Sequence, residues 1–312
     1  MDELYEDDMY GEEEEIDLLK LVSTNANEAS QFILFNGSNG ELYAKNVSKV
    51  EELVIYKDIT ILKSNDDSAV IGTGDIRGEM TTLVNFDAWI GNERLDESEY
   101  ELVIVAAYGG HRLGIVVKSV ENIITIEPED MRDNSSANSK SSFAAKIKLY
   151  GKEQLCTVFD SDKLLLDVFE DVKEQSNAQT QNVNCEIDTQ RVVFFADDSK
   201  YIRVMVGRLC EKMSLRYELF ENGQELIDAI VKKDINTIAL IITDIEMPVM
   251  SGREVVKRIR ELREFDEINI IVHTNMANDI MQEEFLTLGA SEVIGKVNML
   301  ELSEAINKYI RR

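Results

Sequence analysis

The second half of the chain repeats one pattern, in which a short apolar run precedes a stretch with apolar residues every three or four positions. Five such pairs follow residue 190, and the third apolar run ends at Thr243. Apolar runs that alternate with amphipathic helices predict a parallel sheet with helices on both faces. We therefore predict an α/β doubly wound (βα)5 domain over residues 190–312.

The first half has a different pattern, in which short strand-like segments are joined by turns rich in glycine and asparagine. Hairpins are predicted at 31–44, 101–117 and 145–159, with a short helix near 47–53. Strands at this spacing are typical of barrels or sandwiches. An amphipathic helix from Ser161 to Lys173 closes this all-β domain, which we assign to residues 22–173.

Two segments lack a periodic apolar pattern. Residues 1–21 begin with a dense acidic run, which predicts a disordered tail by charge repulsion; a docking peptide is the alternative. Residues 174–189 are polar and rich in glutamine and asparagine, which predicts a linker between the two domains.

The composition excludes several classes of function. The formal net charge is -27, most of it in the first 189 residues, which disfavours binding to nucleic acid. No apolar run approaches the roughly 20 residues that span a bilayer, and the N-terminus lacks the basic start of a signal peptide. We expect a soluble, cytoplasmic protein with no direct membrane insertion. The three cysteines and two histidines have no metal-type spacing.

Acidic residues follow two of the predicted parallel strands. Asp244 comes directly after the third strand, and Asp197 and Asp198 follow the first. A helix cap is the alternative role for Asp244 considered alone. Because adjacent parallel strands bring their carboxyl ends together, three carboxylates would share one site and need a hard cation, for which Mg²⁺ is the expected choice. The fourth strand delivers Thr274 and the fifth Lys296, a set that fits phosphoryl transfer to Asp244.

Residues 190–312 resemble a response-regulator receiver domain over their whole length. The resemblance rests on the acidic pair, the segment from Asp244 to Gly252, and the spacing of Thr274 and Lys296. It implies that Asp244 is the phosphoacceptor and that Thr274 and Lys296 sense the phosphoryl group. The implied Mg²⁺ ligands are Asp197, Asp198, Asp244 and the backbone carbonyl of Glu246. The sequence departs from the family at Val293, where an aromatic switch residue is usual, and at Val297, where a proline is usual.

The first domain resembles the CheW adaptor, which is a pair of five-stranded barrels. The segment from Gly72 to Val84, with Arg77 and Gly78 in the turn, and the hairpin after Gly110 carry this resemblance. Asp75 replaces an asparagine of the family pattern. The resemblance implies that Arg77 and Gly78 contact a partner, and an uninvolved surface charge is the alternative for Arg77.

A CheW-like domain joined to a receiver domain is similar to the CheV-type chemotaxis proteins. The resemblance implies an adaptor that couples methyl-accepting chemoreceptors to the histidine kinase CheA, with CheW as a further candidate partner, at receptor arrays on the inner face of the membrane. It implies no catalysis beyond the phosphoacceptor site and self-dephosphorylation. Two alternatives stay open: a phosphate sink without conformational output, and a constitutive scaffold.

Overall fold

The computed structural model describes residues 31–64, 68–108, 111–133, 140–169, 190–275, 279–296 and 298–310. The predicted acidic tail over 1–21 and the predicted linker over 174–189 lie outside these residues, as does Val297.

In the described part of 31–159, twelve strands form two six-stranded sheets. One sheet has the order β10-β11-β12-β2-β1-β9 and the other the order β3-β7-β8-β6-β5-β4. The strands are β1 (Gln31–Asn36), β2 (Leu42–Asn46), β3 (Glu52–Ile55), β4 (Thr60–Lys63), β5 (Val70–Ile76), β6 (Glu79–Asn85), β7 (Leu102–Tyr108), β8 (His111–Val117), β9 (Val120–Thr125), β10 (Met131–Asp133), β11 (Ser141–Leu149) and β12 (Lys152–Phe159).

The three predicted hairpins are confirmed as the antiparallel pairs β1–β2, β7–β8 and β11–β12. Each sheet has six strands, whereas the resemblance to CheW implies five-stranded barrels. The edge strands β10 and β4 have only three and four residues. The helix predicted near 47–53 is wrong beyond its first turn. A 3-10 turn at Val47–Lys49, capped by Asn46, gives way to β3, whose backbone pairs with β7.

Among the described residues, this domain also has two short α-helices, α1 (Phe86–Ile90) and α2 (Ser161–Val168). Helix α2 begins at the N-cap Asp160, whose side chain accepts a hydrogen bond from the Lys163 amide. Its leucines divide between two cores: Leu164 and Leu165 pack in the core of the first domain, and Leu166 packs in the core of the second domain. Helix α2 therefore belongs to the interface between the domains.

The second domain has the predicted doubly wound fold. Its five parallel strands have the order β14-β13-β15-β16-β17. The strands are β13 (Val192–Ala196), β14 (Arg216–Phe220), β15 (Ile238–Thr243), β16 (Ile270–Thr274) and β17 (Glu292–Gly295). The helices are α3 (Lys200–Lys212), α4 (Gly223–Ile230), α5 (Gly252–Glu261), α6 (Asp279–Leu288) and α7 (Met299–Tyr309).

Strand β15 is buried along its whole length, as the continuous apolar run predicts for a strand covered on both faces. Strands β13 and β15 are neighbours, and the strand order reverses at β13. The carboxyl ends of these strands form the crevice where open α/β sheets bind ligands. No helix in the described part of the chain is both long and apolar enough to cross a membrane.

Candidate functional site

The carboxyl ends of β13 and β15 bring the predicted acidic residues together. Ala196 lies opposite Thr243 in the parallel register, so Asp197 and Asp244 leave the sheet side by side. The Asp244 amide donates to the Ala196 carbonyl at 2.9 Å. This arrangement follows directly from the strand order.

Asp244 is buried, with 1% of its surface exposed. Its Oδ1 accepts from the Ile245 amide at 2.7 Å, and its Oδ2 accepts from Lys296 Nζ at 2.8 Å. The loop after Asp244 folds back so closely that a Cβ on Gly252 would lie 1.9 Å from the Asp244 carbonyl oxygen. Only glycine, which has no Cβ, allows the loop to approach the Asp244 backbone this closely.

Lys296 is the central cation of the site. Its ammonium lies 2.8 Å from Asp244, 3.2 Å from Asp197 and 3.3 Å from Asp162, and both its own side chain and these carboxylates are buried. Burial alone would lower the pKa of Lys296, but the carboxylates of Asp162, Asp197 and Asp244 raise it well above its usual value. The lysine therefore stays charged and holds the anionic groups in place.

The carboxylates respond differently to this environment. Burial raises the pKa of Asp244, and it raises that of Asp197 well above the usual range, although Lys296 opposes both shifts. Burial also acts to raise the pKa of Asp162, but Lys296 and Lys49 lower it to about 2. Asp162 is thus the most firmly ionised of the three.

The oxygens of the site suit a hard cation. Ligand atoms of Asp162, Asp197 and Asp198 lie within 4.8 Å of one another. Asp197 Oδ2 is buried and accepts no hydrogen bond among the residues that the structure describes, and the Lys296 ammonium lies 3.2 Å from it. A group of buried carboxylate oxygens is the kind of donor set that Mg²⁺ prefers. The group thus contains two of the predicted ligands, Asp197 and Asp198, and its third member is Asp162 rather than Asp244. Its chemistry fits a hard cation such as Mg²⁺.

The other predicted residues surround this cluster. Thr274 is buried at the end of β16, and its carbonyl accepts from the Lys296 amide at 3.1 Å. Glu246 lies two residues after Asp244, and burial raises the pKa of its side chain to about 8. Val293 is buried in the apolar core of the second domain.

Two residues of the site, Asp162 and Lys49, come from the first domain and could not be found from the sequence. Asp162 comes from α2 of the first domain, where its Oδ1 accepts from the side-chain amide of Asn275. Lys49, in the 3-10 turn after β2, donates to both oxygens of Asp198 at 2.7 and 2.9 Å. These contacts join residues 113 and 149 positions apart. The Asp-Ser-Asp sequence before an apolar helix indicates a helix cap, but it does not indicate which domain the cap faces.

Arg77 and Gly78 lie away from this site, in the tight turn between β5 and β6. Both have positive φ, 54° and 86°, and the Asp75 side chain accepts from the Gly78 amide at 2.8 Å. Asp75 thus supplies the acceptor that the asparagine of the family pattern would supply. Arg77 is largely exposed, with Nε 2.9 Å from a carboxylate oxygen of Glu52.

Two family models match the chain. The CheW-like domain matches residues 31–169, and the response regulator receiver domain matches residues 193–307. Together they account for both folded units. The chain is therefore a two-component signalling protein in which a CheW-like β domain is joined to a receiver domain.

Curated relatives match this whole arrangement. Chemotaxis protein CheV2 of Helicobacter pylori is 26% identical over 94% of this chain and 99% of its own length. CheV1 of the same organism is 25% identical over 93% of this chain and 96% of its own length. The protein is of the CheV type, a chemotaxis signalling adaptor.

Solved structures resemble the two domains separately. The scaffolding protein TtCheW of Thermoanaerobacter tengcongensis covers 42% of this chain and 88% of its own, at 19% identity and a TM-score of 0.36. The response regulator TrrA of Thermotoga maritima, in complex with Mg²⁺-BeF, covers 38% of this chain and 98% of its own, at 28% identity and a TM-score of 0.34.

Proposed function

We propose that this protein couples chemoreceptors to the histidine kinase CheA and that phosphorylation of Asp244 regulates the coupling. The observation that carries the proposal is the convergence of Asp244, Lys296 and the acidic pair at one sheet edge, in the same chain as a CheW-like domain. Its place of action would be the inner face of the membrane, at receptor arrays, with CheW as a further candidate partner.

The chemistry is a transfer from a phosphohistidine of the kinase to a carboxylate. One Asp244 oxygen forms a bond to phosphorus while the bond between phosphorus and the histidine nitrogen breaks, and that nitrogen keeps the electron pair. Lys296 neutralises charge on the transferred oxygens, and the Thr274 hydroxyl donates a hydrogen bond to them. Hydrolysis of the acyl phosphate by water then restores Asp244.

Mg²⁺ would be held by Asp197, Asp198, Asp244 and the Glu246 carbonyl, and when bound it neutralises negative charge on the phosphoryl oxygens. The chain's own contribution is to keep these oxygens in one buried group. The oxygens of Asp197 and Asp198, which lie within 4.8 Å of each other, support this assignment.

Phosphotransfer is tested by mixing the full chain with phosphorylated CheA and Mg²⁺ and resolving the products on a Phos-tag gel. We expect a shifted band for the wild type and none for Asp244→Asn, because the amide is not a nucleophile. Asp228→Asn is the matched control, since Asp228 is exposed on α4. An unshifted wild-type band would refute phosphorylation by CheA and favour the constitutive scaffold.

The adaptor contact is tested at Arg77. Asparagine tolerates a positive φ, so Arg77→Asn removes the charge without straining the turn. We expect weaker capture of the full chain by receptor and CheA, measured by co-sedimentation with receptor-containing membranes. Lys57→Asn removes an exposed charge elsewhere in the domain and is the control. Equal capture of all three proteins would assign Arg77 to the solvated surface.

A phosphate sink is the second candidate function, and the buried Val293 is the observation that favours it. A valine has no aromatic ring that could change orientation with the state of Asp244. If beryllofluoride with Mg²⁺ leaves the binding of receptor and CheA unchanged, the sink is favoured over regulated coupling.

A further inference from the structure

The first domain covers the phosphoacceptor pocket with the amino-terminal end of α2. Asp162 accepts from Lys296 Nζ at 3.3 Å and from the Asn275 side chain, so a carboxylate of the adaptor occupies the anion-binding groups of the receiver. Asp162 is 2% exposed and Lys296 is 3% exposed. The position beside Lys296 that a phosphoryl group requires is therefore already filled by an anion.

A cation from the same domain also contacts the acidic residues of the pocket. Lys49 Nζ lies 2.7 Å from Asp198 Oδ1, and its side chain is almost fully buried. Asp198 is one of the acidic residues that a divalent cation needs. The adaptor thus presents one positive and one negative group, each placed against its opposite charge in the receiver.

Further contacts hold the two domains together around these ion pairs. The Ser199 hydroxyl donates to the Asp160 carboxylate, with both oxygens at 3.0 Å. Asp160 is the N-cap of α2 and Ser199 is the N-cap of α3, so each residue serves its own helix and the interface together. Leu166 adds apolar packing on the receiver core.

Resting on the function proposed above, we infer that the adaptor domain closes the phosphorylation site, and that Asp244 reacts only when Asp162 and Lys49 withdraw. A transferred phosphoryl group would meet the Asp162 carboxylate at the same ammonium, and like charges repel. A donor must also approach Asp244 closely in line, which a side chain with 1% exposure does not permit.

The closure links the two domains without an aromatic switch residue. If Asp162 and a phosphoryl group exclude each other at Lys296, phosphorylation favours the separated domains. Reciprocally, whatever holds the domains apart favours phosphorylation by the same factor. The buried Val293 then needs no part in the output, because the adaptor itself contacts the phosphorylation site.

The first test compares the full-length wild type with Asp162→Asn and Lys49→Ala. Asp58→Asn and Lys57→Ala are matched controls, since both residues are exposed on one short turn. Acetyl phosphate with Mg²⁺ supplies the phosphoryl group: Asp244 forms the bond to phosphorus and acetate leaves. We expect each interface variant to react roughly tenfold faster or more than the wild type, because the competent fraction limits the wild-type rate. We expect both controls to react at the wild-type rate.

The second test needs no substitution and reads structure instead of reaction rate. Hydrogen exchange of the wild type is followed by mass spectrometry with and without Mg²⁺ and beryllofluoride. We expect faster exchange in peptides that cover 160–166 and 199–206 when Mg²⁺ and beryllofluoride are both present. The reason is that the hydrogen bond between Ser199 and Asp160, the N-caps of α3 and α2, breaks when the domains separate. A peptide from β7, in the adaptor core, should exchange unchanged.

The outcomes separate this inference from the proposed function. If wild type and interface variants are phosphorylated at equal rates and beryllofluoride leaves the 160–166 peptides protected, the closure is refuted while Asp244 phosphorylation stands. If no variant becomes phosphorylated on Asp244, the proposed function fails and the closure with it. Faster reaction of the variants together with loss of protection in the wild type supports both.

Discussion

At the scale of single residues, Val249 has an unusual backbone conformation. It lies in the loop after Asp244 with a φ of 70°, in the left-handed region that a β-branched residue disfavours. The surrounding loop, in which Gly252 folds back onto Asp244, holds it there. The pocket loop therefore stores backbone strain close to the phosphoacceptor.

We predict that Val249→Asn stabilises the protein by about 1 kcal/mol, because asparagine adopts positive φ at lower cost. Urea unfolding followed by circular dichroism measures the change. Val231→Asn is the control, since Val231 is exposed and has an ordinary φ of -66°. A loss of stability in Val249→Asn would mean that packing of the valine outweighs the strain.

His273 is a second residue with a physical cost, because it is fully buried and neither ring nitrogen has a hydrogen-bond partner in the described part of the chain. Burial, together with the nearby Lys296, lowers its pKa to about 3. The folded state therefore keeps it neutral while the unfolded chain protonates it near pH 6.5.

The sign of the pH dependence follows from that difference. Between pH 6.5 and 3 the unfolded state binds the extra proton, so His273 makes the folded state less stable as the pH falls, by up to about 1.4 kcal/mol per pH unit. We predict that His273→Phe, whose ring can keep the contact with Phe195, shows a shallower loss of stability across this window. Urea unfolding at pH 7, 6, 5 and 4 measures both slopes; parallel slopes would contradict the prediction.

At the scale of elements, the close contact between the loop and β15 depends on Gly252, at the start of α5. A Cβ there would meet the Asp244 carbonyl oxygen at 1.9 Å and its carbonyl carbon at 2.8 Å, which are backbone atoms that cannot rotate away. A Cβ added to Gly295, at the end of β17, would instead have open space around it.

We predict that Gly252→Ala destabilises the protein by about 1–3 kcal/mol, as overpacking does, and slows phosphorylation of Asp244. Gly295→Ala should change the unfolding free energy by less than about 0.5 kcal/mol. Thermal unfolding of both variants with the acetyl phosphate assay checks this pair. Equal stability of the two variants would show that the loop can move to accept a methyl group.

The elements differ in how far the sequence predicts them. The apolar strands β13, β15 and β16 are predicted because an apolar run bounded by polar residues has few other interpretations. The short strand β10 is missed because three residues carry no period, and the turn at Lys49 is mistaken for a longer helix because strand pairing is not local. In the pocket, the positions of Asp244 and Lys296 after their strands predict that the two residues lie together. The contact of Asp162 with Lys296 spans 134 positions, and no local sequence pattern predicts it.

At the scale of the whole molecule, each domain contains one buried thiol. Cys156 lies on β12 of the adaptor and Cys210 on α3 of the receiver. Burial raises the pKa of Cys156 to about 11 and that of Cys210 to about 12, so neither forms much thiolate at pH 8. Each cysteine can therefore report the unfolding of its own domain.

We predict that, in a Cys185→Ser background, a thiol reagent at pH 8 leaves both cysteines unmodified in the folded protein. With increasing urea both should become labelled over the same range, because α2 contributes to both cores. Mass spectrometry of the labelled peptides measures each transition. Adding Asp162→Asn should separate the two midpoints. Separate midpoints in the starting protein would show that the domains unfold independently.

The contacts of Asp162 and Lys49 with the receiver affect the concentration of phosphoryl donor at which the protein responds. Because the groups that close the pocket belong to the same chain, diluting the protein does not release them, and tethering keeps their local concentration on the order of millimolar. A phosphoryl donor or a cation therefore competes with Asp162 and Lys49 at an effective concentration that does not depend on the protein concentration. The threshold at which the protein responds is therefore set by the strength of its own closure, and substitutions at the interface would tune that threshold without altering Asp244.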